Sequence, residues 1–358
     1  MPSHPPATLN PMPLQPHLKH LIEARGTLTR EQARALMQAI LAGELADIEI
    51  AALLGALAAR GETPAEVAGF VDTMRAAATH LPLSPTEQAI LVDTCGTGGD
   101  GSRTFNISTA AALVAAAAGA SVAKHGNRAI TSQTGSADVL EALGIPVGLS
   151  PVEATAALRQ HRFAFLHAPS LHPAMKAVMP VRRALGVRTV FNLLGPLTNP
   201  AGASAQVMGV YAPHAVPLVA EAMAILGTRH AFVVHGTAET STGPHRGLDE
   251  ISISGPTHLA EVRNGIVTLS TITPEDAGLE RAPIETLIGG DAPTNAAILT
   301  AIFAGERTPR RDIVLLNAAA VLVAADLAPD IIIGVALAAH TIDTGAVTAL
   351  VATLSRKN

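Results

Sequence analysis

The chain has 358 residues, of which 48% are hydrophobic and 15% are charged, and its formal net charge is −5. These proportions predict one large or two ordinary folded domains and argue against global disorder. Because only 2% of the residues are aromatic and none is Trp, stacking platforms for single-stranded nucleic acid are nearly excluded. The negative charge also argues against general DNA or RNA binding.

The single cysteine, Cys95, cannot form an intramolecular disulfide, which favours a cytoplasmic protein. No stretch has the run of ~18 apolar residues that a membrane span requires. The N-terminus also lacks the basic and apolar regions of a signal peptide. We therefore expect neither a membrane nor a nucleic acid as a partner.

The N-terminal part of the chain has helical patterns. Residues 1–16 are rich in proline and are predicted to form a flexible tail. Capping boxes at Thr29–Gln32 and Thr63–Glu66 each begin a run with one-face apolar spacing, and a third such run lies between them. Three short amphipathic helices in succession predict a small helical domain over residues 17–85.

Strand and helix patterns alternate at short intervals from about residue 86 onward, which is typical of an α/β domain. We predict that residues 86–358 form a larger α/β domain with a mainly parallel central sheet flanked by helices. Strands are predicted at 91–95, 121–124, 163–166, 205–211 and 230–234, with a strand-like run at 251–253. Closing helices are predicted at 294–304, 311–325 and 330–340.

A glycine-rich segment, Asp93–Asp100, directly follows the first predicted strand. Glycine allows tight turns and brings backbone N–H groups close to an anion. The next segment, Asn106–Thr109, lies where a helix begins, and hydroxyl groups at a helix N-terminus suit phosphate. An ordinary tight turn, with Ser108 as a simple helix cap, is the alternative for these two segments.

Lys124–Arg128 lies at the end of the second predicted strand. Ligands of open parallel sheets collect at the carboxyl ends of strands. Lys124 could supply a charge for phosphate and Asn127 a directional amide. Gly135–Asp138 is a third segment of this kind, in which a glycine and then a serine begin a predicted helix. A solvated basic turn is the alternative for Lys124–Arg128.

Asp249–Glu250 is an adjacent carboxylate pair that could hold Mg²⁺, which takes one or two carboxylates and completes its shell with water and substrate phosphate. An isolated pair of this kind is more often surface charge. Arg182 could bind a carboxylate through two parallel hydrogen bonds, or could simply be exposed to solvent on a helix. The histidines lack zinc-site spacing, and no nucleophile–base motif is present.

Seven motifs together resemble the anthranilate phosphoribosyltransferase family, and the likeness runs from about residue 18 to the C-terminus. The glycine-rich motif is shared with pyrimidine nucleoside phosphorylases, whereas the Lys124, Asn192 and Asp249 motifs are more specific. In family order, the motifs are Gly96–Asp100, Asn106–Thr109, Lys124–Arg128, Gly135–Asp138, His172–Met175, Asn192–Pro200 and Gly247–Glu250.

The resemblance implies a helical domain that is joined by part of residues 172–200, an active-site cleft beside it, and a homodimer. It implies two Mg²⁺ ions, one bound by Ser108 and the other by Asp249 and Glu250. The substrates would be 5-phosphoribosyl 1-diphosphate and anthranilate. No single catalytic residue is implied, since positioning and charge stabilisation suffice. The implied donor-binding residues are Gly96, Gly99, Asp100, Thr104, Asn106, Ile107, Ser108, Thr109, Lys124 and Ser136. The implied anthranilate-binding residues are Gly96, Asn127, Arg182, His125 and His172.

Two departures from the family pattern affect this expectation. Residues 237–246 form a polar insert before Asp249, predicted to be a loop that either perturbs the magnesium pair or projects outward. His167 and Ser170–Leu171 stand where many members carry Phe and a bulkier aromatic residue, which alters the expected anthranilate tunnel. The alternatives are a pyrimidine nucleoside phosphorylase and a non-catalytic relative that binds nucleic acid.

Overall fold

A mainly parallel sheet forms the centre of the protein, as shown by a computed structural model that describes residues 13–129, 133–238 and 246–355. Within these residues the strands lie in the order β3-β2-β1-β4-β5-β7-β8, and β6 pairs with β5 off this path. The strands are β1 (Leu91–Gly96), β2 (Ser121–Gly126), β3 (Phe163–His167), β4 (Ala205–Gly209), β5 (His230–Ala238), β6 (Arg246–Leu248), β7 (Thr257–Arg263) and β8 (Ile266–Ile272).

Helices cover the sheet and form the N-terminal region. They are α1 (Leu14–Ile22), α2 (Arg30–Leu41), α3 (Asp47–Arg60), α4 (Pro64–Ala76), α5 (Pro85–Gln88), α6 (Ile107–Ala117), α7 (Ser136–Ala142), α8 (Pro151–His161), α9 (Ala168–Leu171), α10 (Met179–Leu185), α11 (Phe191–Leu197), α12 (Ala215–Ile225), α13 (Ala292–Phe303), α14 (Pro309–Ala324), α15 (Ile331–Asp343) and α16 (Ala346–Leu354).

The predicted fold class is confirmed. Strands β1 to β5 pair in parallel, and the in-register pair Gly96 and Gly209 brings the ends of β1 and β4 to one edge of the sheet. The antiparallel hairpin of β7 and β8 was not predicted, and residues 251–253, predicted as strand-like, form no strand. Ile251 and Ile253 are buried instead, so their apolar character reflects core packing rather than sheet pairing.

The helical region follows the predicted capping boxes. Thr29 and Thr63 cap α2 and α4 with reciprocal bonds to Gln32 and Glu66. One prediction is wrong: the tail does not extend to residue 16, because α1 begins at Leu14 and this side chain is buried. Leu14, Leu18 and Leu21 have helical spacing and pack within the same apolar cluster as the other N-terminal helices. Residues 1–12 of the predicted tail lie outside the described residues.

Part of residues 172–200 packs against the N-terminal helices. Helix α10 contacts α3, and α11 contacts α4. The Arg75 side chain of α4 donates through Nε to the Leu197 carbonyl at 2.9 Å. One apolar cluster continues from these helices to α12 and the adjacent strands, so the helical region and the sheet share buried surface.

Helix α6 is buried along nearly its whole length. Its alanine-rich sequence permits close packing because small side chains leave room for α14 on one side and the sheet on another. Among the described residues, no single helix is both long enough and apolar enough to cross a membrane. The bent pair of α15 and α16 meets both criteria only when the two helices are taken together.

Glu66 links the N-terminal helices through a buried carboxylate, which leads to a stability prediction. Its oxygens accept from the Leu28 N–H at 2.7 Å and the Thr63 N–H at 2.8 Å, and they also contact Arg60. We expect Glu66→Ala to lower the free energy of unfolding by about 3 kcal/mol, because buried donors lose their partner. Urea unfolding should detect this loss. The exposed Glu44→Ala should change stability by less than about 0.5 kcal/mol, and equal effects would contradict the interpretation.

Candidate active site

The glycine-rich loop that follows β1 lies against the carboxylate pair. Gly98 and Gly99 adopt positive φ angles of 67° and 74°, which turn the loop over the end of the sheet. The Gly98 N–H donates to Asp249 Oδ2 at 2.7 Å. Two segments separated by 151 positions in the sequence are thereby held together.

The backbone at Asp249 packs directly on two strand ends. A Cβ atom at Gly209 would lie 1.6 Å from the Asp249 carbonyl oxygen, and one at Gly96 would lie 2.2 Å from Asp249 Oδ2. No side chain larger than hydrogen fits at either position without displacing Asp249. Glycine at the ends of β1 and β4 therefore creates the space that the carboxylate pair occupies.

The ends of the polar insert are not loop, which corrects the prediction for residues 237–246. Strand β5 extends through Ala238, and β6 begins at Arg246. The pairs Gly236–Leu248 and Thr237–Gly247 show that β5 and β6 are antiparallel. Asp249 directly follows β6, so it lies at this edge of the sheet. Residues 239–245 lie outside the described residues.

Ser108 and Lys124 meet the other carboxylate of the pair. The Ser108 N–H, at the start of α6, donates to Glu250 Oε1 at 3.0 Å. The Lys124 Nζ donates to the Thr94 carbonyl at 2.6 Å and to Ser108 Oγ at 3.3 Å. Lys124 lies within β2 and is 1% exposed. For Lys124, the structure therefore excludes the alternative of a solvated basic turn.

Burial governs the charges in this cluster. It raises the pKa of Glu250 to about 7, against the opposing effect of Lys124. Burial, followed by the charges of Asp100 and Glu250, raises the pKa of Asp249 well above its ordinary value. Burial likewise lowers the pKa of Lys124. The crowded carboxyl groups thus favour an added cation, because each raised pKa records unfavourable negative charge.

The protein groups suit a cation that a substrate helps to hold. Asp249, Glu250 and Ser108 present oxygen atoms, the donor type that Mg²⁺ prefers. In the portion of the chain that the structure describes, no set of three or more His, Cys, Asp or Glu side chains could hold a metal ion by itself. The remaining ligands would be water and phosphate oxygens, which matches the usual Mg²⁺ shell.

Several other predicted donor-binding residues surround this cluster. Asp100 Oδ2 accepts from the Asp249 N–H at 3.2 Å, and Ser136 Oγ donates to the Asn127 carbonyl at 3.2 Å. The Asn106 amide donates to Thr134 and accepts from Asn295. Three further predicted donor-binding residues make other contacts or are buried. Thr104 forms a β-bridge with Ile288, Thr109 is buried, and Ile107 packs in the core and donates its N–H to the Phe105 carbonyl.

The residues predicted for anthranilate occupy two places. His125 and His172 are buried with ring centroids 5.1 Å apart, and no bond partner is present for the Nε2 atom of either ring. Arg182 lies on α10, with Cζ 5.4 Å from the Phe191 ring centroid, and burial lowers its pKa. Asn127 Oδ1 accepts from the Arg128 N–H at 2.7 Å.

His167, the departure at the end of β3, pairs with Gly126 in the sheet register. Its Nδ1 lies 3.1 Å from Ser170 Oγ, so two of the departing positions contact each other. Its Nε2 is buried without a bond partner. An imidazole and a hydroxyl therefore form a polar contact at two of the positions predicted to depart from the family pattern.

Sequence reasoning assigned no role to two residues at this site, although Asp93 begins the glycine-rich segment. Asp93 is buried, and its Oδ1 accepts from the His125 N–H at 3.0 Å, which ties β1 to β2 beneath the glycine-rich loop. Burial raises the pKa of Asp93 to about 6. Arg188 donates to the Gly99 carbonyl, although it is 89 positions away in the sequence. Only a buried acidic residue in a strand pattern could have indicated Asp93, and no local signal marks Arg188.

Comparisons with known proteins identify the family of this chain. Residues 15–78 match the helical bundle domain of a glycosyl transferase family, and residues 88–348 match its a/b domain. The chain is 52% identical to the anthranilate phosphoribosyltransferase of Symbiobacterium thermophilum, with 89% of this chain and 90% of that protein covered. It is 52% identical to that of Solibacter usitatus, with 96% and 98% covered. The chain belongs to the anthranilate phosphoribosyltransferase family.

Solved structures of this family have the same fold. The anthranilate phosphoribosyltransferase (TrpD) of Thermus thermophilus aligns with a TM-score of 0.85 and 44% identity, covering 94% of this chain and 98% of that one. The Saccharomyces cerevisiae enzyme in complex with PRPP and Mg aligns with a TM-score of 0.81 and 26% identity, covering 95% and 96%. The family resemblance inferred from the motifs is therefore confirmed.

The buried imidazole of His172 gives a prediction for pH dependence. Burial lowers its pKa to about 4, whereas an exposed histidine titrates near 6.5. Its stabilising contribution is therefore complete above pH ~6.5 and is lost progressively as the pH falls from ~6.5 to about 4. We expect His172→Gln to reduce the loss of unfolding free energy between pH ~7.5 and ~4.5 by about 2 kcal/mol.

Urea unfolding at the two pH values measures this difference. The matched control is His340→Gln, which removes an exposed histidine of α15. The control should keep the pH dependence of the unaltered protein. The same pH dependence in His172→Gln as in the unaltered protein would show that His172 is not held neutral by burial.

Proposed function

We propose that this protein transfers the phosphoribosyl group of 5-phosphoribosyl 1-diphosphate to the amine of anthranilate. The products are N-(5-phosphoribosyl)anthranilate and diphosphate, and the reaction belongs to tryptophan biosynthesis. The observation that carries this proposal is the convergence of the glycine-rich loop, Ser108, Lys124 and the Asp249–Glu250 pair at one sheet edge. The printed functions of the relatives support the same reaction.

The donor would lie over the ends of β1 and β2. Loop N–H groups and the start of α6 provide hydrogen-bond donors for phosphate oxygens. Lys124, whose ammonium already contacts Ser108, would add a fixed positive charge that is shielded from water. Proposed donor-binding residues are Gly96, Gly99, Asp100, Thr104, Asn106, Ile107, Ser108, Thr109, Lys124 and Ser136.

Two Mg²⁺ ions would assist, one held by Ser108 and one by Asp249 and Glu250. A Saccharomyces cerevisiae relative forms a complex with PRPP and Mg, which supports the metal requirement. When bound, the metal would neutralise charge on the departing diphosphate. The raised pKa values of the carboxyl pair support this role, since a nearby cation favours their ionised forms.

The acceptor subsite would use groups on the other side of the loop. The Arg182 guanidinium suits the carboxylate of anthranilate, and the Asn127 amide supplies a directional contact. His125 and His172 would line the subsite as neutral rings, since burial lowers their pKa values to about 3 and about 4. Gly96 would lie where donor and acceptor meet. Another Saccharomyces cerevisiae structure contains 4-fluoroanthranilate, an analogue of this acceptor.

The chemistry requires placement more than proton transfer. Positive charge develops on the ribose as the bond to diphosphate lengthens, and the anthranilate amine attacks from the opposite face with inversion. An aniline-type amine is unprotonated at neutral pH, so a strong general base is unnecessary. The residues named here would hold the two reactants in line and stabilise the departing charge.

Domain movement and assembly complete the proposal. The helical unit, residues 17–85 joined by part of 172–200, would close over the α/β unit, residues 86–358, and exclude water. The packing of α10 and α11 on α3 and α4 supports this grouping. A cytoplasmic homodimer is the proposed working form.

Loss of anthranilate fluorescence tests this function directly. Purified protein is mixed with anthranilate, 5-phosphoribosyl 1-diphosphate and Mg²⁺, and we expect a fluorescence decrease that requires all three. Protein incubated with thymidine or uridine plus phosphate serves as the control reaction. Base release in that control without any anthranilate consumption would overturn the proposal in favour of a nucleoside phosphorylase.

The carboxylate pair gives a metal-dependent prediction. We expect the double variant Asp249→Asn and Glu250→Gln to lose more than about tenfold in activity at low Mg²⁺ and to recover partly at high Mg²⁺. The matched control is Glu275→Gln with Asp276→Asn, an adjacent acidic pair that is exposed. The control should show ordinary metal dependence. An unchanged Mg²⁺ titration in the first variant would remove Asp249 and Glu250 from the metal site.

A further inference from the structure

Arg188 lies just after α10 and contacts both Tyr211 and the glycine-rich loop. It follows Gly186, the left-handed residue that ends α10, and its guanidinium Cζ lies 4.6 Å from the ring centroid of Tyr211. The same guanidinium donates to the Gly99 carbonyl of the glycine-rich loop. A planar cation that stacks on an aromatic ring keeps a defined orientation, and its remaining N–H groups stay available.

The glycine-rich loop, residues 97–101, is thus held from two sides. Asp249 accepts from the Gly98 N–H, and Arg188 donates to the Gly99 carbonyl. The first contact is open to competition, because a phosphate oxygen seeks the same N–H and a cation seeks the same carboxylate. A phosphate oxygen also attracts the guanidinium of the second contact, but Arg188 has five N–H donors and uses one nitrogen for the Gly99 carbonyl. The Arg188 contact with the loop can therefore persist when the donor binds.

Arg188 also shares a short segment with the proposed acceptor-binding residue. Arg182 lies on α10, and Gly186 is the single left-handed residue between it and Arg188. The segment therefore carries one guanidinium for the acceptor subsite and another for the loop that would cover the diphosphate. Tyr211, just beyond β4, provides a fixed surface for the second guanidinium.

We infer that Arg188 is a positioning residue that holds the glycine-rich loop in the conformation that receives diphosphate. It acts through the Gly99 carbonyl and is oriented by stacking on Tyr211. The inference rests on the proposed function, since it concerns the donor of that reaction. It assigns Arg188 to donor binding and predicts a selective effect on the apparent affinity for the diphosphate donor.

Calorimetric titration with 5-phosphoribosyl 1-diphosphate and Mg²⁺ tests the inference, together with the KM values of both substrates. Arg188→Ala should weaken donor binding about tenfold or more, while the KM for anthranilate changes less than about threefold. Arg188→Lys should not restore binding, because lysine lacks the planar fork. Tyr211→Phe should bind as the unaltered protein does, and Tyr211→Leu should reproduce the loss. Thermal unfolding of each variant establishes that it is folded.

Arg183→Ala is the matched control, because Arg183 is an exposed arginine of α10, the helix that precedes Arg188. It should bind the donor within about twofold of the unaltered protein. Donor affinity that is unchanged in Arg188→Ala, restored by Arg188→Lys, or equally weakened in Arg183→Ala would overturn the inference. A folded unaltered protein that binds the donor but forms no product would instead contradict the proposed function, and the binding comparison would still decide the role of Arg188.

Discussion

The close approach of Asp249 to the ends of β1 and β4, by its side chain at β1 and its backbone at β4, is the constraint on which the candidate site depends. Glycines at positions 96 and 209 leave room for this approach, and any Cβ atom there would overlap the carboxylate segment. The contact places Asp249 against the glycine-rich loop and Glu250 against the start of α6. A sheet edge, a loop and a helix N-terminus thereby become one surface, although they come from distant parts of the sequence.

The charged groups of this surface are largely buried, which favours the binding of oppositely charged ligands. Acidic groups crowd around one buried ammonium, and burial opposes the charged forms of both kinds of group. Hydrogen bonds from backbone N–H groups partly offset that cost. His125 and His172 are kept neutral by the same physical effect, so these two rings differ in charge from the carboxylate cluster. The proposed diphosphate donor with its divalent cation would suit the charged cluster, and the proposed aromatic acceptor would suit the neutral rings.

The segment predicted as a polar insert connects two paired strands. Its two ends extend β5 and form β6, so the added length begins and ends in paired backbone. The antiparallel pairing returns the chain to Leu248, directly before the carboxylate pair. The sequence alone left open whether the insert disturbs Asp249, because polar residues with Gly-Pro predict a loop but do not specify where its ends pair.

Local pattern was sufficient for the capped helices α2 and α4, the five parallel strands and the motifs that identified the family. These features depend on neighbours within a few residues, so spacing and turn chemistry carry the information. The β7–β8 hairpin, the buried state of Lys124 and the contact of Arg188 with Gly99 could not be derived in this way. Each depends on packing between segments far apart in sequence. A lysine at the end of a strand pattern looks solvated until the tertiary structure shows that it is buried, and no local signal links an exposed arginine to a loop that lies 89 positions away.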